Sequence, residues 1–264
     1  MERSVSIGTA YSEAAAFVAR EKKLLAPLVL ALMVVPATIS QLMQPVTPLA
    51  DAAGMRSWMV IALLALLIGL VGQMAVNRLA MGSDRSLGGT IGLALRRLPA
   101  ALGAFILFFF LLSLVLIPLI VVMSLASGGA APSGQAPGGF SVVTVLIVFA
   151  AVPRILLAPA IAMDQPLGPW RLVKATWNAT RGQYWRLLGF FVLFLAASLI
   201  FAMAVSAVVG SLATLALGKP EPLSVSRLVV ALAGGLVQGV IATLYAAMIG
   251  RLVVQLPRGS ITAM

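Results

Sequence analysis

The chain has 264 residues, of which 61% are hydrophobic and only 9% are charged, and its mean hydropathy is +1.10. A soluble domain carries about 45–50% apolar and about 25% charged residues, so this composition excludes an ordinary water-soluble protein and predicts an integral membrane protein. The sequence contains neither cysteine nor histidine. Disulfides and thiolate chemistry are thereby excluded, and the usual general base and commonest metal ligand are missing. We therefore expect no catalytic residue, no cofactor site and no metal site.

Apolar runs between charged residues predict six membrane-spanning helices, because a helix that crosses the ~30 Å hydrocarbon core needs about 20 mostly apolar residues. The charge-free run from Leu98 to Pro153 is long enough for two of them, and the segment 127–139, rich in Gly, Pro and Ser, is expected to be the loop between these two. The predicted spans are 24–43, 58–76, 101–126, 140–163, a fifth between Arg186 and Lys219, and a sixth between Arg227 and Arg251. Prolines inside the spans are expected to produce packing kinks; they are Pro27, Pro36, Pro118, Pro153 and Pro159.

Lysine and arginine fall mainly on one side of this topology. Fifteen lie in the two terminal segments and in the second-to-third and fourth-to-fifth connections, whereas three lie on the opposite side: Arg56, Lys219 and Arg227. The positive-inside rule therefore predicts a multi-pass protein of the bacterial cytoplasmic (inner) membrane with both termini in the cytoplasm. The start has a long charged leader and no small-residue cleavage site, so we expect an uncleaved anchor rather than a signal peptide.

A short motif recurs every 80 residues, as Ser6-Ile7-Gly8, Ser86-Leu87-Gly88 and Pro166-Leu167-Gly168. Each copy opens a stretch that is too polar to span a membrane, and each stretch leads into a pair of spans. We interpret this order as an internal repeat of a short interfacial helix followed by a transmembrane hairpin. The predicted fold is all-α, with six transmembrane helices and short cytoplasmic interfacial helices. It forms a single membrane domain, 1–264, whose repeats are approximately 6–85, 86–165 and 166–264.

The short segment before the fifth span is the most basic of the three. At helical spacing, Trp170 and Trp177 share one face and the cations share another. Tryptophan favours the headgroup level, and each Lys or Arg near an anionic surface contributes about 1 kcal/mol of attraction. These cations either bind anionic lipid or only fix topology and helix height. The candidate residues are Arg171, Lys174, Arg181 and Arg186.

An arginine recurs near the cytoplasmic end of every even-numbered span, as Arg78, Arg154 and Arg251. Nine apolar residues follow Arg154, which correspond to ~13 Å of helix, and an arginine at such depth usually faces a bundle interior or snorkels to the surface. If the three hairpins surround a pseudo-threefold axis, the three arginines would converge on a pocket at the cytoplasmic side. Arginine matches the geometry of phosphate, so we expect this pocket to bind a phosphate, and we favour that of a phospholipid headgroup. Snorkelling is the alternative interpretation.

The acidic residues give no sign of catalysis. Asp84 and Asp164 occupy matching repeat positions, and we expect them to cap helices. Phosphodiester hydrolysis needs metal-binding carboxylates or histidines, so we expect no enzyme. The net charge of +11 follows the membrane topology rather than forming one patch, so nucleic acid is not an expected partner.

The segment that runs from Arg154 into the fifth span resembles the glycerophosphoryl diester phosphodiesterase membrane-domain family and related six-span bacterial proteins. The shared pattern is an arginine, an Ala-Pro, an acidic residue, a Thr-x-Gly and an aromatic-Trp-Arg, here Arg154, Ala158-Pro159, Asp164, Thr180-Arg181-Gly182 and Tyr184-Trp185-Arg186. The match covers the fourth and fifth spans, and the remainder agrees in topology only. Such a module precedes a soluble phosphodiesterase barrel in the proteins that gave the family its name. No stretch of this sequence corresponds to that barrel, so the resemblance implies the membrane module alone.

Two functions of different class stay open. The first is a non-catalytic accessory or structural protein of the phospholipid bilayer, which binds anionic lipid or a membrane protein partner. The second is a transporter or lipid-moving protein with a site between the repeats, which the proline-interrupted spans and Arg154 favour. No acidic residue lies in a predicted span, so carboxylate-based ion coupling has no evident site, and Gly235-x-x-x-Gly239 is more typical of helix packing. We therefore favour the first function.

Overall fold

The computed structural model describes residues 7–45, 52–82, 86–126, 138–219, 221 and 224–255. Every regular element in these ranges is helical. The predictions made for Ser6, Asp84 and most of the loop 127–139 lie outside the described residues. The helices are α1 Ile7–Arg20, α2 Lys22–Val29, a π-helical segment Leu30–Val34, α3 Val35–Met43, α4 Ala52–Ala80, α5 Leu87–Ala126, α6 Gly138–Ile155, α7 Ala158–Asp164, α8 Pro169–Thr180, α9 Tyr184–Leu217 and α10 Val225–Gln255.

Six stretches of helix are long and apolar enough to cross a membrane. The prediction of an all-α chain with six such helices is therefore confirmed. In chain order these spans are Lys22–Met43, Met55–Ala80, Leu87–Leu119, Leu146–Asp164, Tyr184–Leu217 and Val225–Gln255.

The first span changes its winding in the middle. The π-helical segment lies between Pro27, inside α2, and Pro36, near the start of α3. Pro36 has no N–H to offer the carbonyl of Leu32, which lies four residues earlier. The wider i→i+5 ring of a π-helix accommodates this loss without ending the helix.

The fourth span is broken, whereas the third is not. The chain leaves the helix at Leu156 and Leu157, between Pro153 in the last turn of α6 and Pro159 in the first turn of α7. Every residue of α7 before its last is buried, so this helix lies inside the protein. Pro118, by contrast, lies within the continuous helix α5.

The second of the predicted short helices is not a separate element. It merges with the third span, since α5 continues through Pro99 without interruption. Small buried residues form one stripe of α5 on both sides of this proline, so the same packing surface extends from the short segment into the span. They are Thr90, Ala94, Ala101 and Ala104. The first and third short helices are separate and correspond to α1 and α8.

The best-packed part of the molecule is the end of the bundle that contains Arg78, Arg154 and Arg251, which we call the basic end. The last turns of α4 and α10, α7, and one face each of α1 and α8 are buried there. A Cβ atom on Gly250 would lie 2.7 Å from the carbonyl oxygen of Asn77, so α10 and α4 touch through their backbones. α1 packs against α10, and α8 packs against α5, α6 and α7.

From the middle of the bundle to its opposite end, the first and sixth spans remain in contact. Gly235 and Gly239 of α10 both lie against Val34, which is the packing role that the spacing of these glycines predicts. Arg227, near the start of α10, donates a hydrogen bond to the carbonyl oxygen of Gln44, just after α3. The corresponding parts of α5 and α9 expose most of their large apolar side chains.

Candidate functional site

Arg78 and Arg251 lie where α4 and α10 touch. Each directly follows one of the two contact residues, Asn77 in α4 and Gly250 in α10. Because Gly250 has no side chain, the two backbones approach closely, and the two arginines lie next to this contact. Both arginine side chains are half-buried.

Each of these arginines also binds a further helix. Nη1 of Arg78 donates a hydrogen bond to the carbonyl oxygen of Met163, 3.2 Å away, in the last turn of α7. A cation is favourable there because the last carbonyls of a helix lack intrahelical partners. The guanidinium carbon of Arg251 lies 5.7 Å from the centre of the Phe17 ring in α1, within the range of a cation–π interaction.

The contact also contains polar groups without partners. Both atoms of the Asn77 carboxamide and the Nε atoms of Arg78 and Arg251 are buried, with no hydrogen bond to any described residue. Asn77 itself has no exposed surface. A buried polar group left without a partner costs about 1–3 kcal/mol, and more when it is charged. Three of these four unpaired atoms are N–H donors, two of them on cations, an arrangement suited to an anion with several oxygen atoms.

Asn77 was missed by the sequence reasoning. It is the variable residue that precedes the first recurring arginine, in Val76-Asn77-Arg78. An uncharged polar residue inside a stretch of apolar span is the signal that could have identified it, because such residues in membrane helices usually face the bundle interior.

Arg154 has a different environment. Its guanidinium carbon lies 3.5 Å from the centre of the Trp177 ring and 5.1 Å from that of Tyr184. The Tyr184 hydroxyl in turn donates to the carbonyl oxygen of Ala150 at 2.6 Å. The break after α6 therefore places this arginine on aromatic rings of α8 and α9. The structure brings Arg78 and Arg251 to one helix contact and gives Arg154 other neighbours.

The remaining candidate cations lie on the surface. Arg171 and Lys174 are exposed on α8, Arg181 is exposed just after it, and Arg186 is exposed in the first turn of α9. The Nζ atom of Lys174 lies 5.5 Å from the centre of the Trp170 ring. The opposite face of α8 is buried and consists mostly of small residues: Leu172, Val173, Ala175, Thr176, Ala179 and Thr180.

The predicted capping role of Asp164 is wrong. This residue is the last of α7. The N-cap of α8 is Gly168, which has no side chain, so no side chain caps this helix. The chain needs four extended or bent residues between the two helices, so the aspartate lies too early to cap α8. Within the described ranges, no group of three or more acidic residues is placed to hold a metal ion.

A second candidate site is a cavity of about 630 Å³ near the middle of the bundle, between the first, second, third and sixth spans. Its walls are largely apolar, but three glutamines line it: Gln41, Gln73 and Gln238. This site was not predicted from the sequence. Carboxamides within otherwise apolar spans were the available signal, although only the fold shows that these three share one cavity.

Comparisons with models of protein families, with curated proteins and with solved structures found no match to this chain. The resemblance to the glycerophosphoryl diester phosphodiesterase membrane-domain family therefore stays a prediction.

Proposed function

We propose that the chain is a non-catalytic, multi-pass protein of the bacterial inner membrane that binds the phosphate of an anionic phospholipid at its basic end. The observation that supports this most directly is the cluster of buried, unpaired polar groups on Asn77, Arg78 and Arg251. Guanidinium groups match the geometry of phosphate oxygens, and the Asn77 Nδ2 adds an uncharged donor. A phosphate would supply acceptors to donors that have none among the described residues.

The distribution of Lys and Arg supports a location of this site at the cytoplasmic side of the membrane. The excess of Lys and Arg on one side orients the basic end toward the cytoplasm, where anionic lipids give the leaflet a negative surface potential. Around the proposed site, Arg171, Lys174, Arg181 and Arg186 add general attraction to that surface, at about 1 kcal/mol each. The half-exposed Trp170 and Trp177 suit the headgroup level. We therefore assign α8 a supporting role, as an interfacial helix.

The threefold internal repeat is part of the same proposal, and contacts of the arginines support it. Phe17 and Trp177 each lie eleven residues after the first residue of their repeat motif. Phe17 of the first repeat is contacted by Arg251, from the last span of the third repeat. Trp177 of the third repeat is contacted by Arg154, from the last span of the second repeat. If the repeats are arranged in a ring, each arginine therefore comes from the repeat before its aromatic partner. Two equivalent aromatic residues therefore meet two equivalent arginines.

The middle repeat departs from this pattern in an instructive way. Eleven residues after the start of its motif, the middle repeat has Arg97 in place of an aromatic residue. The recurring arginine of the first repeat would therefore meet a like charge there. That arginine is Arg78, which donates to the carbonyl oxygen of Met163 instead. The helix contacts still follow the cyclic order, since α1 packs on α10, α5 on α4, and α8 on α6 and α7.

The headgroup site can be tested by titrating phosphatidylglycerol into delipidated protein and counting bound lipids by native mass spectrometry. We expect the double variant Arg78→Gln, Arg251→Gln to bind phosphatidylglycerol about 10- to 100-fold more weakly, because one hydrogen bond to a charged group contributes about 1.5–3 kcal/mol. The matched control is Arg56→Gln, which removes an exposed arginine from the opposite end.

An unchanged affinity of the double variant, or an equal loss in the Arg56 control, would contradict the headgroup site. Phosphatidylcholine serves as the lipid control, since its headgroup carries a phosphate without net negative charge. A co-purifying second polypeptide in place of lipid would redirect the accessory function toward a membrane protein partner.

One observation favours the second candidate function, a transporter or lipid-moving protein. The central cavity is lined by spans from all three proposed repeats, the arrangement expected of a site between repeats. Movement of fluorescent lipid between leaflets in proteoliposomes, measured against protein-free liposomes, tests this function. Equal rates in the two preparations would exclude lipid movement.

A further inference from the structure

We propose that the central cavity is a binding site for an uncharged amphiphile, a molecule with one apolar chain and a small head that both donates and accepts hydrogen bonds. A monoacylglycerol has this chemistry. The site differs from the headgroup site in position and in charge. Whether its occupant also crosses the membrane is the separate question raised by the second candidate function.

The polar lining determines the head of the ligand. Gln41, Gln73 and Gln238 each offer a carbonyl acceptor and an N–H donor to the cavity, and Ser40 also lines it. None of the three glutamine side chains has a hydrogen bond to another described residue. In the hydrocarbon region no bulk water compensates such groups, so a ligand that hydrogen-bonds to them gains directly.

The described lining of the cavity carries no charge, which disfavours a charged head. No Asp, Glu, Lys or Arg is among the described residues that line the cavity. A phosphate or carboxylate there would have no counter-charge in a medium of low dielectric constant, and burial of an unpaired ion costs far more than burial of a neutral polar group. A head with hydroxyl and ester groups meets the same carboxamides without that cost.

The apolar lining determines the rest of the ligand and its route of entry. The cavity volume of about 630 Å³ falls within the ~300–1,000 Å³ range typical of sites for small ligands. Two residues of its wall, Leu66 and Phe109, are 61% and 51% exposed, so the cavity opens sideways toward the surface that lipid chains cover. A chain can therefore lie along Phe105 and Phe109 while its head reaches the glutamines.

The first span provides the remaining wall. Met33, in the π-helical segment, lines the cavity together with Gln41 of α3. A π-helical turn is wider than an α-helical one and is frequently found at functional sites. Here Met33 lines the same cavity as the carboxamides, so the irregular winding and the polar lining occur together.

The test is photolabelling in proteoliposomes with a monoacylglycerol that carries a diazirine in its acyl chain, followed by peptide mapping. We expect labelling of α5 around Phe105 and Phe109, and competition by unlabelled monoacylglycerol. Gln73→Leu combined with Gln238→Leu should reduce this labelling roughly tenfold, because each neutral hydrogen bond contributes about 0.5–1.5 kcal/mol. The matched control is Gln165→Leu, the same change in the connection between α7 and α8, outside the cavity.

A second variant fills the cavity instead of changing its polarity. Ala65→Phe places a ring in the wall and should abolish the α5 label while the protein remains folded by size-exclusion chromatography. The headgroup variant Arg78→Gln, Arg251→Gln should leave the label unchanged, so that failure of one site is distinguishable from failure of the other. Equal labelling of α5 in all variants, or equally strong labelling by a diazirine fatty acid at pH 8, would overturn the proposal.

Discussion

The two ends of the bundle are built in different ways. At the basic end, α7 is buried between α4, α5, α8 and α10, and small residues let helix backbones touch, as at Gly250 and Asn77. Toward the opposite end, the first, second and sixth spans are held by the glycines of α10, the bond from Arg227 to Gln44 and a 3.0 Å bond from Trp58 to the carbonyl oxygen of Ser40, and α9 packs on α10. The basic end is packed tightly enough to hold charged side chains in position. The remainder of the bundle is more open and can admit a ligand.

This difference in packing predicts a difference in how much each end contributes to the stability of the folded protein. Lipid chains are as apolar as leucine, so exposure of large side chains on α5 and α9 costs little in a bilayer, and helix association depends on close packing and on polar contacts. The basic end has both, whereas α9 has only three buried residues in its whole length, Leu187, Phe190 and Ala213. Substitutions at the two ends should therefore have unequal effects on stability.

The largest effect is expected from Gly250→Leu. Its Cβ would meet the Asn77 carbonyl oxygen at 2.7 Å and the Ala80 Cβ at 3.0 Å, and backbone atoms cannot move aside as a side chain can. We expect a loss of about 3 kcal/mol or more, at the upper end for overpacked contacts, or no folded protein at all. Thermal unfolding in detergent, monitored by size-exclusion chromatography, measures it.

The control for this change is Gly210→Leu in α9, where an added Cβ meets nothing within 4 Å. We expect its midpoint of unfolding to equal that of the unchanged protein. Equal destabilisation by both substitutions would show that the two ends are packed alike and would break the comparison.

A smaller effect, with the opposite sign, is expected from Asn77→Leu. The substitution replaces a buried, unpaired carboxamide by an apolar group of similar size, so lipid-free protein should gain about 1–3 kcal/mol of stability. Affinity for phosphatidylglycerol should fall at the same time, because a donor to the phosphate is lost. Asn178→Leu, on α8, is the matched control, with neither effect expected. Increased stability with unchanged lipid affinity would remove Asn77 from the site.

The smallest effects are expected at the cation–π contacts, where Arg154→Gln should have the larger effect. This change removes the cation 3.5 Å from the Trp177 ring centre, and such contacts contribute about 0.5–2 kcal/mol. Lys174→Gln, whose ammonium lies 5.5 Å from the Trp170 ring centre on an exposed face, should cost less. Both are measured as shifts of the thermal midpoint, and a larger shift for Lys174 would contradict the assignment of Arg154 to a packed contact.

Hydropathy and proline positions go far toward predicting this fold, because a bilayer imposes a length on every span. They locate all six spans and point to Pro153 and Pro159, between which the fourth span breaks. They fail before the third span, where a separate short helix was predicted and α5 instead continues through Pro99 into the span. The stripe of Thr90, Ala94 and Ala101 that supports this continuity has tertiary partners, and no local pattern reveals them.

The candidate sites were predictable only in part. The recurrence of Arg78, Arg154 and Arg251 is visible in the sequence, but the separate environment of Arg154 depends on the turn after α6 and on the position of α8. Asn77 and the three cavity glutamines were visible as polar residues in apolar spans. Their partners come from helices far apart in the chain, so spacing alone could not group them.

The most direct test of the headgroup site is a cryo-electron microscopy structure of the protein, bound to an antibody fragment, in nanodiscs that contain phosphatidylglycerol. We expect density for a phosphate within hydrogen-bonding distance of the guanidinium groups of Arg78 and Arg251 and of the Asn77 Nδ2 atom. Density for lipid only along the apolar faces of α5 and α9, with these three side chains satisfied by protein atoms or water, would contradict the account.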